Sequence, residues 1–220
     1  MASAVEGADA SGLTALTADQ ISATIAANIA TRWPGGCAVV NQTGADITVT
    51  YTDCSGPRGL VHVTGELDLT VSVALSGGIS VAASATDLEV NSATLDFNAT
   101  GTYSSSGTMD TLVVTAHGSG TGPRGNSIDH NGQYTVTWDS SSQCRSIDGS
   151  WSTDLTTPVA TATRSNMVDL SRCGAGCPTG TLTHKFLGGA SLTITFDGTA
   201  TAQWSASTGT SGAVQLTCTP

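Results

Sequence analysis

The first candidates for chemistry are four acidic residues on two consecutive segments: Glu66, Asp68, Asp87 and Glu89. If the chain reverses at Gly77-Gly78 and carries a β-bulge near Thr86, the two acidic pairs lie side by side. Four carboxylates in one patch would hold a hard cation such as Ca²⁺, which is the one cofactor that the sequence suggests. The alternative is a solvated acidic edge that discourages pairing with other molecules.

A second set of candidates surrounds a repeated tetrapeptide. Gly-Pro-Arg-Gly occurs at 56–59 and again at 122–125, and each copy predicts a tight reversal between strands. The candidate ligand-binding residues are Arg58, His62, Arg124, Asp129 and His130. If both turns lie at one end of a sheet, these side chains converge into a site for an anionic ligand that the arginines clamp. Otherwise the arginines are exposed turn residues or pair with nearby Asp, and the two copies are either a duplicated hairpin or convergent turns.

No residue is assigned a catalytic role. Serine is abundant, but no G-x-S-x-G segment lies between a strand and a helix. A glycosidase-type pair of carboxylates is conceivable in the acidic patch, although its environment cannot be read from the sequence. A hydrolase with its site near the Gly-Pro-Arg-Gly turns therefore stays an alternative only.

The charge balance excludes one class of partner. The net charge of −10 reflects 7 basic against 17 acidic residues, and Lys185 is the single lysine. Nucleic acids are recognised through clusters of Lys and Arg, so we expect no nucleic-acid partner. The longest apolar stretches have the length of strands, so we expect no transmembrane segment.

The six cysteines indicate an oxidising compartment. They are Cys37, Cys54, Cys144, Cys173, Cys177 and Cys218. We predict disulfides Cys37–Cys54, Cys173–Cys177 and Cys144–Cys218, although six cysteines allow about fifteen pairings. A zinc site at Cys173 and Cys177 is disfavoured, because no second cysteine pair or histidine cluster accompanies them.

The elements that would position these residues begin with one helix. Residues 1–12 are small and polar, which predicts a disordered segment ahead of a single β domain at 13–220. Thr17 and Gln20 form a capping box, and Ile21, Ile25 and Ile29 make one apolar stripe, so we expect a helix at about 18–32. The first ten residues lack the pattern of a signal peptide, so Met1 is interpreted as an added start on a mature exported chain.

From about residue 37 the apolar period is two. The run Glu66–Leu75 is apolar at every odd position, which predicts a strand with one buried and one solvated face. Changes of phase predict bulges near Thr86 and Asn91. Further predicted strands are Leu112–Ala116, Tyr134–Trp138, Ile147–Ser152, Thr181–Phe186, Leu192–Trp204 and Ala213–Cys218, with turn signals at Asp148-Gly149 and Asp197-Gly198. The expected fold is all-β: an antiparallel sandwich or half-open barrel of long twisted strands, with one N-terminal capping helix and stapled by disulfides.

Three stretches together resemble a known group of proteins. They are Asp53–Gly65, Gly120–Ser127 and an ending made of Asp197–Trp204 followed by Ser211–Cys218. With these residues the chain resembles a group of uncharacterised predicted lipoproteins from Gram-negative soil bacteria. The resemblance implies export and an outer-membrane anchor through an N-terminal cysteine, and it implies no catalytic or ligand residue.

Three functions follow as hypotheses. The first is a non-enzymatic secreted or surface-anchored module that binds a glycan, a protein or a matrix component, or that self-assembles by strand addition. The second is a carrier that holds a small hydrophobic ligand in the cavity of a curved sheet. The third is the secreted hydrolase.

Overall fold

The computed structural model describes residues 16–33, 36–56, 61–74, 78–158 and 160–218. Its elements are α1 (Ala18–Arg32), β1 (Ala38–Thr43), β2 (Asp46–Ser55), β3 (His62–Val73), β4 (Ile79–Val90), β5 (Ala93–Ser106), β6 (Met109–Thr121), β7 (Ser127–Asp139), β8 (Cys144–Thr157), β9 (Ala160–Cys173), β10 (Thr179–Lys185), β11 (Ser191–Asp197), β12 (Thr201–Ala206) and β13 (Ser211–Gln215). The predicted 1–12 segment lies outside the described residues.

The strands form one open antiparallel sheet in chain order. Each strand pairs with its neighbours in sequence, so β1 and β13 are the two edges. This arrangement confirms the all-β antiparallel class, with one helix, α1, in the described part of the chain. A second, separate sheet of a sandwich is not found among the described ranges.

The helix begins at the predicted capping box. The Thr17 amide donates to Oε1 of Gln20 at 2.9 Å, and the Gln20 amide donates to Oγ1 of Thr17 at 3.3 Å. These two bonds satisfy donors that the first turn of a helix leaves without partners. Polar Thr17 and Gln20 therefore fix the start of α1.

One side of α1 packs on the first three strands. Ile21, Ile25 and Ile29 are buried, which confirms the apolar stripe. Ser22 is also fully buried, and its hydroxyl lies 2.6 Å from the carbonyl oxygen of Gly44 in the turn between β1 and β2. The helix is thus attached to the sheet by apolar packing and by hydrogen bonds that Ser22 makes with Gly44 and with Gln42 on β1.

The sheet face that α1 covers is called the core face below, and the opposite face is called the outer face. The buried core-face side chains on the first six strands include Ile47, Val49, Tyr51, Val63, Leu69, Val71, Ile79, Ala83, Ala85, Leu88, Tyr103, Leu112 and Val114. Threonines and acidic residues alternate with them on the outer face. This period of two is what places buried and solvated residues on opposite faces.

One of the two predicted bulges is present. The register between β4 and β5 shifts between Ala85 and Leu88, and Asp87 has a φ of 53°, so the bulge near Thr86 is confirmed. The bulge near Asn91 is wrong. Asn91 and Ser92 have φ values of 50° and 65° and form the two-residue turn that joins β4 to β5. Positive φ at both central residues is the conformation that such hairpins require.

Both Gly-Pro-Arg-Gly segments join antiparallel strands, as predicted. The first lies between β2 and β3, with residues 57–60 outside the described ranges. The second joins β6 to β7, where the Gly122 amide donates to the Asn126 carbonyl at 2.8 Å. Gly125 has a φ of 74°, a conformation that favours glycine.

The second half of the sheet differs more from the expectation. Asp148-Gly149 is not a turn but the middle of β8, where a Cβ on Gly149 would stand 2.4 Å from the Gln133 carbonyl oxygen. The glycine is there because β7 approaches closely. Asp197-Gly198 is a turn, so the predicted strand Leu192–Trp204 is two strands, β11 and β12. The sequence analysis did not predict β9.

Three disulfides link the strands, and one of the predicted pairings is right. Cys37–Cys54 is confirmed and ties the start of β1 to β2. The predicted pairs Cys173–Cys177 and Cys144–Cys218 are wrong. Cys144 forms a disulfide with Cys173, its direct partner across β8 and β9, with Cα atoms 3.8 Å apart. The third disulfide joins Cys177 to Cys218. The error follows from missing β9, because its register decides which cysteine faces Cys144.

Candidate functional site

The strand registers separate Asp68 from Glu89, two of the four acidic residues. Glu89 lies opposite Thr64 and Asp68 lies opposite Ser84, with an irregular segment between these two pairs. Four residues of strand therefore separate the levels of Asp68 and Glu89, which is about 13 Å. The sequence analysis placed the bulge near Thr86 correctly, but it did not predict the register between β3 and β4.

Two of the four acidic residues make hydrogen bonds: Asp68 through its carboxylate and Asp87 through its backbone amide. Oδ1 of Asp68 accepts from the hydroxyl of Thr48 at 2.8 Å, and the Asp87 amide donates to Asp96 at 2.8 Å. Within the described part of the chain, no three His, Cys, Asp or Glu residues are grouped so that they could hold a metal ion. The acidic residues follow the strands as separate side chains.

The histidines that follow the two Gly-Pro-Arg-Gly turns do not converge. The turns do lie at the same end of the sheet, because strand direction alternates from β2 to β7. Four strand spacings separate them, which is about 19 Å. In addition, His130 is on the core face, whereas His62 precedes the buried Val63 and is on the outer face. The described strands therefore do not bring His62 and His130 together.

Arg124 and Asp129, the predicted ligand residues close to His130 in the sequence, do not lie with it on the core face. Arg58 lies outside the described residues, and Arg124 is exposed in its turn. Asp129 is on the outer face, where Oδ1 accepts from Nδ2 of Asn131 at 2.6 Å. Among the described residues of the predicted set, His130 is the one that reaches the cavity described below.

Ser55, His62 and Asp53 meet on the outer face, but not in the geometry of a hydrolase. Oγ of Ser55 lies 3.2 Å from Nδ1 of His62, and Oδ1 of Asp53 lies 3.5 Å from the same nitrogen. A catalytic triad needs the nucleophile and the carboxylate on opposite nitrogens of the ring. This exposed cluster therefore lacks the arrangement that would activate Ser55.

A row of side chains crosses the core face at the end that carries these turns. Its members are direct partners on β6, β7, β8 and β9: Gly118, His130, Thr153 and Arg164. Nδ1 of His130 and Oγ1 of Thr153 are hydrogen-bonded at 2.8 Å. Across the sheet, the hydrogen-bonded pair of His130 and Thr153 is therefore followed by the guanidinium group of Arg164.

This row lines a groove with a volume of about 480 Å³. Its apolar walls are Leu88, Val90, Leu95, Phe97, Ile128 and Leu155. The small residues Ala116 and Gly118 leave the space open between these larger side chains. A cavity of this size, with apolar walls and few polar groups, is typical of a site for a small molecule.

Among the residues that line the groove, Arg164 is the one arginine or lysine and Asp96 is the one acidic residue. Arg164 makes no hydrogen bond and no ion pair within 4.0 Å with any other described residue. Burial, followed by the nearby charge of Arg164, lowers the pKa of His130 below its ordinary value of 6.5. At neutral pH the imidazole is therefore uncharged, and Arg164 is the cation that faces the groove.

The sequence analysis missed Thr153 and Arg164. Part of a signal for Arg164 was available, since Ala162, Val168 and Leu170 lie on the same face of β9, which also carries Asn166 and Arg172. An arginine on a partly apolar strand face, in a chain with seven basic residues, is a candidate for a functional role.

Comparison of the chain with protein-family models, with curated proteins and with solved structures finds no match in any of the three. Within the described ranges, no helix has the length and apolar character needed to cross a bilayer. The three disulfides indicate an extracellular or otherwise oxidising environment.

Proposed function

We propose that the chain is a non-enzymatic binding protein, and that the core-face groove is its ligand site. The ligand is a small apolar molecule with an acidic head group. The observation that carries this proposal is an apolar groove of about 480 Å³ whose one cation, Arg164, has no partner among the described residues.

The apolar walls supply most of the binding free energy. Leu95, Phe97 and Leu155 present an apolar surface next to the packed core, and a ligand tail there would leave water. A tail of about ten carbons gains roughly 0.8 kcal/mol for each buried methylene group. The groove therefore favours an unbranched or small cyclic hydrocarbon chain.

Arg164 and Thr153 determine the head group. A carboxylate near Arg164 would accept charge-assisted hydrogen bonds from the guanidinium group. With His130 in the tautomer that donates from Nδ1 to Oγ1 of Thr153, the Thr153 hydroxyl proton would be left to donate to the same carboxylate. His130 holds Thr153 in place through the 2.8 Å bond. The net charge of −10 opposes anions in general, so selectivity must come from these local donors.

The cellular setting belongs to the same proposal. The resemblance to predicted lipoproteins supports a secreted chain or one anchored at the outer membrane of a Gram-negative bacterium, and the disulfides agree with an extracytoplasmic location. In that setting the protein would carry or capture a hydrophobic acid at the cell surface.

Decanoate and decanol provide the test, because they share a tail and differ in the head group. We expect calorimetric titration to show tighter binding of decanoate, and Arg164→Gln to remove the difference between the two ligands. Arg124→Gln is the matched control, since Arg124 is an exposed arginine at the same end of the sheet. Equal loss of decanoate binding in both variants would contradict the role of Arg164.

A second variant tests the groove itself. A Cβ on Gly118 would stand 3.4 Å from Cβ of Phe97 and 4.0 Å from Cβ of His130, so the backbone accepts a side chain there. Gly118→Leu should fill the groove, keep the fold and abolish binding of both ligands. Unchanged binding in this variant would overturn the proposed site.

The open edge of the sheet favours a second candidate function. Among the described strands, β13 pairs with β12 alone, and Val214 on β13 is 49% exposed. An unpaired edge can accept a strand from a surface partner or from a second copy. Sedimentation at rising protein concentration would reveal self-association, and Val214→Lys should then reduce it.

A further inference from the structure

The structure places two arginines directly opposite each other at the other end of the sheet. Arg145 on β8 and Arg172 on β9 are register partners, and both line an open cavity of about 600 Å³ together with Trp138. Opposed side chains on neighbouring strands have Cβ atoms about 5 Å apart. Two of the seven basic residues of an acidic chain therefore share one small surface.

The surrounding protein does not neutralise this pair. Neither guanidinium group makes a hydrogen bond or an ion pair within 4.0 Å with another described residue. Asp139 also lines the cavity, but its carboxylate accepts from the amide and hydroxyl of Ser141 and from the hydroxyl of Ser142, at 2.7–2.9 Å. These bonds hold the Asp139 carboxylate in the turn between β7 and β8.

The backbone cannot move the two arginines apart. The next register pair is Cys144 and Cys173, and these residues form a disulfide with Cα atoms 3.8 Å apart. On the other side, Trp138 is the partner of Arg145 on β7 and stacks on Tyr103 with ring centroids 5.9 Å apart. A covalent bond and a packed aromatic pair thus fix the positions from which both guanidinium groups extend.

We propose that Arg145 and Arg172 form a binding site for an oxyanion group, either phosphate or sulfate. Like charges in direct opposition destabilise a sheet, and a doubly charged oxyanion between them would replace repulsion by several charge-assisted hydrogen bonds. The planar guanidinium group matches this ligand, because it presents its donors in a fixed fork. The wall formed by Trp138 leaves room for the apolar side of a sugar or another group that carries the anion.

This site is independent of the core-face groove. The groove lies at the end of the sheet that carries the Gly-Pro-Arg-Gly turns, whereas the arginine pair lies beside the turn between β7 and β8. One proposal can therefore fail while the other holds.

The first experiment is calorimetric titration with inorganic sulfate and inorganic phosphate at constant ionic strength, with chloride as the reference anion. We expect millimolar or tighter binding, and a loss of about tenfold or more in Arg145→Gln and in Arg172→Gln. Arg124→Gln makes the same change of charge at an exposed turn and should leave the affinity unchanged. No binding, or equal weakening in all three variants, would overturn the proposal.

Thermal unfolding gives a second readout that does not depend on detecting weak binding. Without an oxyanion, Arg172→Gln should raise the Tm because it removes the repulsion. Added sulfate should raise the Tm of the wild-type protein and leave that of Arg172→Gln unchanged. If Arg172→Gln lowers the Tm and sulfate stabilises both proteins equally, the arginine pair is not an anion site.

Two further ligands distinguish the sources of the oxyanion. Glucose 6-phosphate and glucose 6-sulfate carry the group on a sugar, as a surface glycan or a lipid head group would. Tighter binding of these esters than of the free ions assigns the site to a carried group, and equal binding assigns it to the free ion. Either result supports the oxyanion site, provided that Arg172→Gln abolishes the binding.

Discussion

The hydroxyl of Tyr103 on β5 donates a 2.6 Å hydrogen bond to Oδ1 of Asp110 on β6, and both side chains are buried. Asp110 is the one acidic side chain classed as buried among the described residues. The pair lies on the core face next to Trp138, which stacks on Tyr103. The hydroxyl of Tyr103 therefore supplies a partner to a carboxylate that water reaches poorly.

Removing this hydroxyl should destabilise the fold. Tyr103→Phe leaves a buried carboxylate without this donor, and we expect a loss of about 1–3 kcal/mol in the free energy of unfolding. Urea denaturation measures this loss. The double variant Tyr103→Phe with Asp110→Leu replaces both polar partners by apolar groups and should recover part of it. A double variant that is less stable than Tyr103→Phe alone would contradict the assigned role of the pair.

Tyr103 also predicts sensitivity to alkaline pH. Burial and the adjacent Asp110 raise its pKa well above the ordinary value of 10.0. The folded protein therefore keeps the phenolic proton where the unfolded chain loses it. This contribution to stability is complete below pH 10 and is lost as the pH rises above it. The fall in unfolding free energy above pH 10 should be smaller in Tyr103→Phe, and an identical fall in both proteins would refute the assignment.

His130 predicts the opposite dependence in mild acid. Its folded-state pKa is lowered, so the unfolded chain takes up a proton first as the pH falls below 6.5. The stabilising contribution is complete above pH 6.5 and is lost as the pH falls toward the folded-state pKa. NMR titration of the imidazole should give a value below 6.5. Arg164→Gln should raise that value part of the way, because burial, the larger cause, remains. An unchanged pKa in this variant would show that Arg164 does not face His130.

The bond between Cys177 and Cys218 predicts local stability at one edge of the sheet. It closes a loop that contains β10 to β13, with a sequence separation of 41. Replacing both cysteines by serine should speed amide exchange in β12 and β13 and leave β2 to β6 protected. Exchange that accelerates equally in β2 would mean that the bond stabilises the whole fold rather than this edge.

Local features of the fold could be predicted from the sequence. The capping box of Thr17 and Gln20, the bulge near Thr86 and the reversal at 122–125 each depend on a few adjacent residues. The disulfide between Cys37 and Cys54 could also be predicted from the sequence, because the two residues are separated by one hairpin. In these cases the determining interactions are short-range.

The candidate site could not be assembled in the same way. His62 and His130 follow similar turns, yet they face opposite sides of the sheet, because a shift of one residue in any intervening strand exchanges the faces. Arg164 reaches His130 only through the registers of β7, β8 and β9. A row across four strands requires every register to be right, and the sequence analysis had not identified β9.

The strictly sequential strand order has a mechanical consequence. Because β1 and β13 are opposite edges, a force that pulls on the two ends of the chain would peel strands away one hairpin at a time, rather than shear the whole sheet at once. The disulfides Cys37–Cys54 and Cys177–Cys218 limit this peeling at both edges, since each prevents the strands it closes off from being extended. Under tension the strands at the two edges of the sheet would thus be held by disulfides, and the strands between them would bear the force.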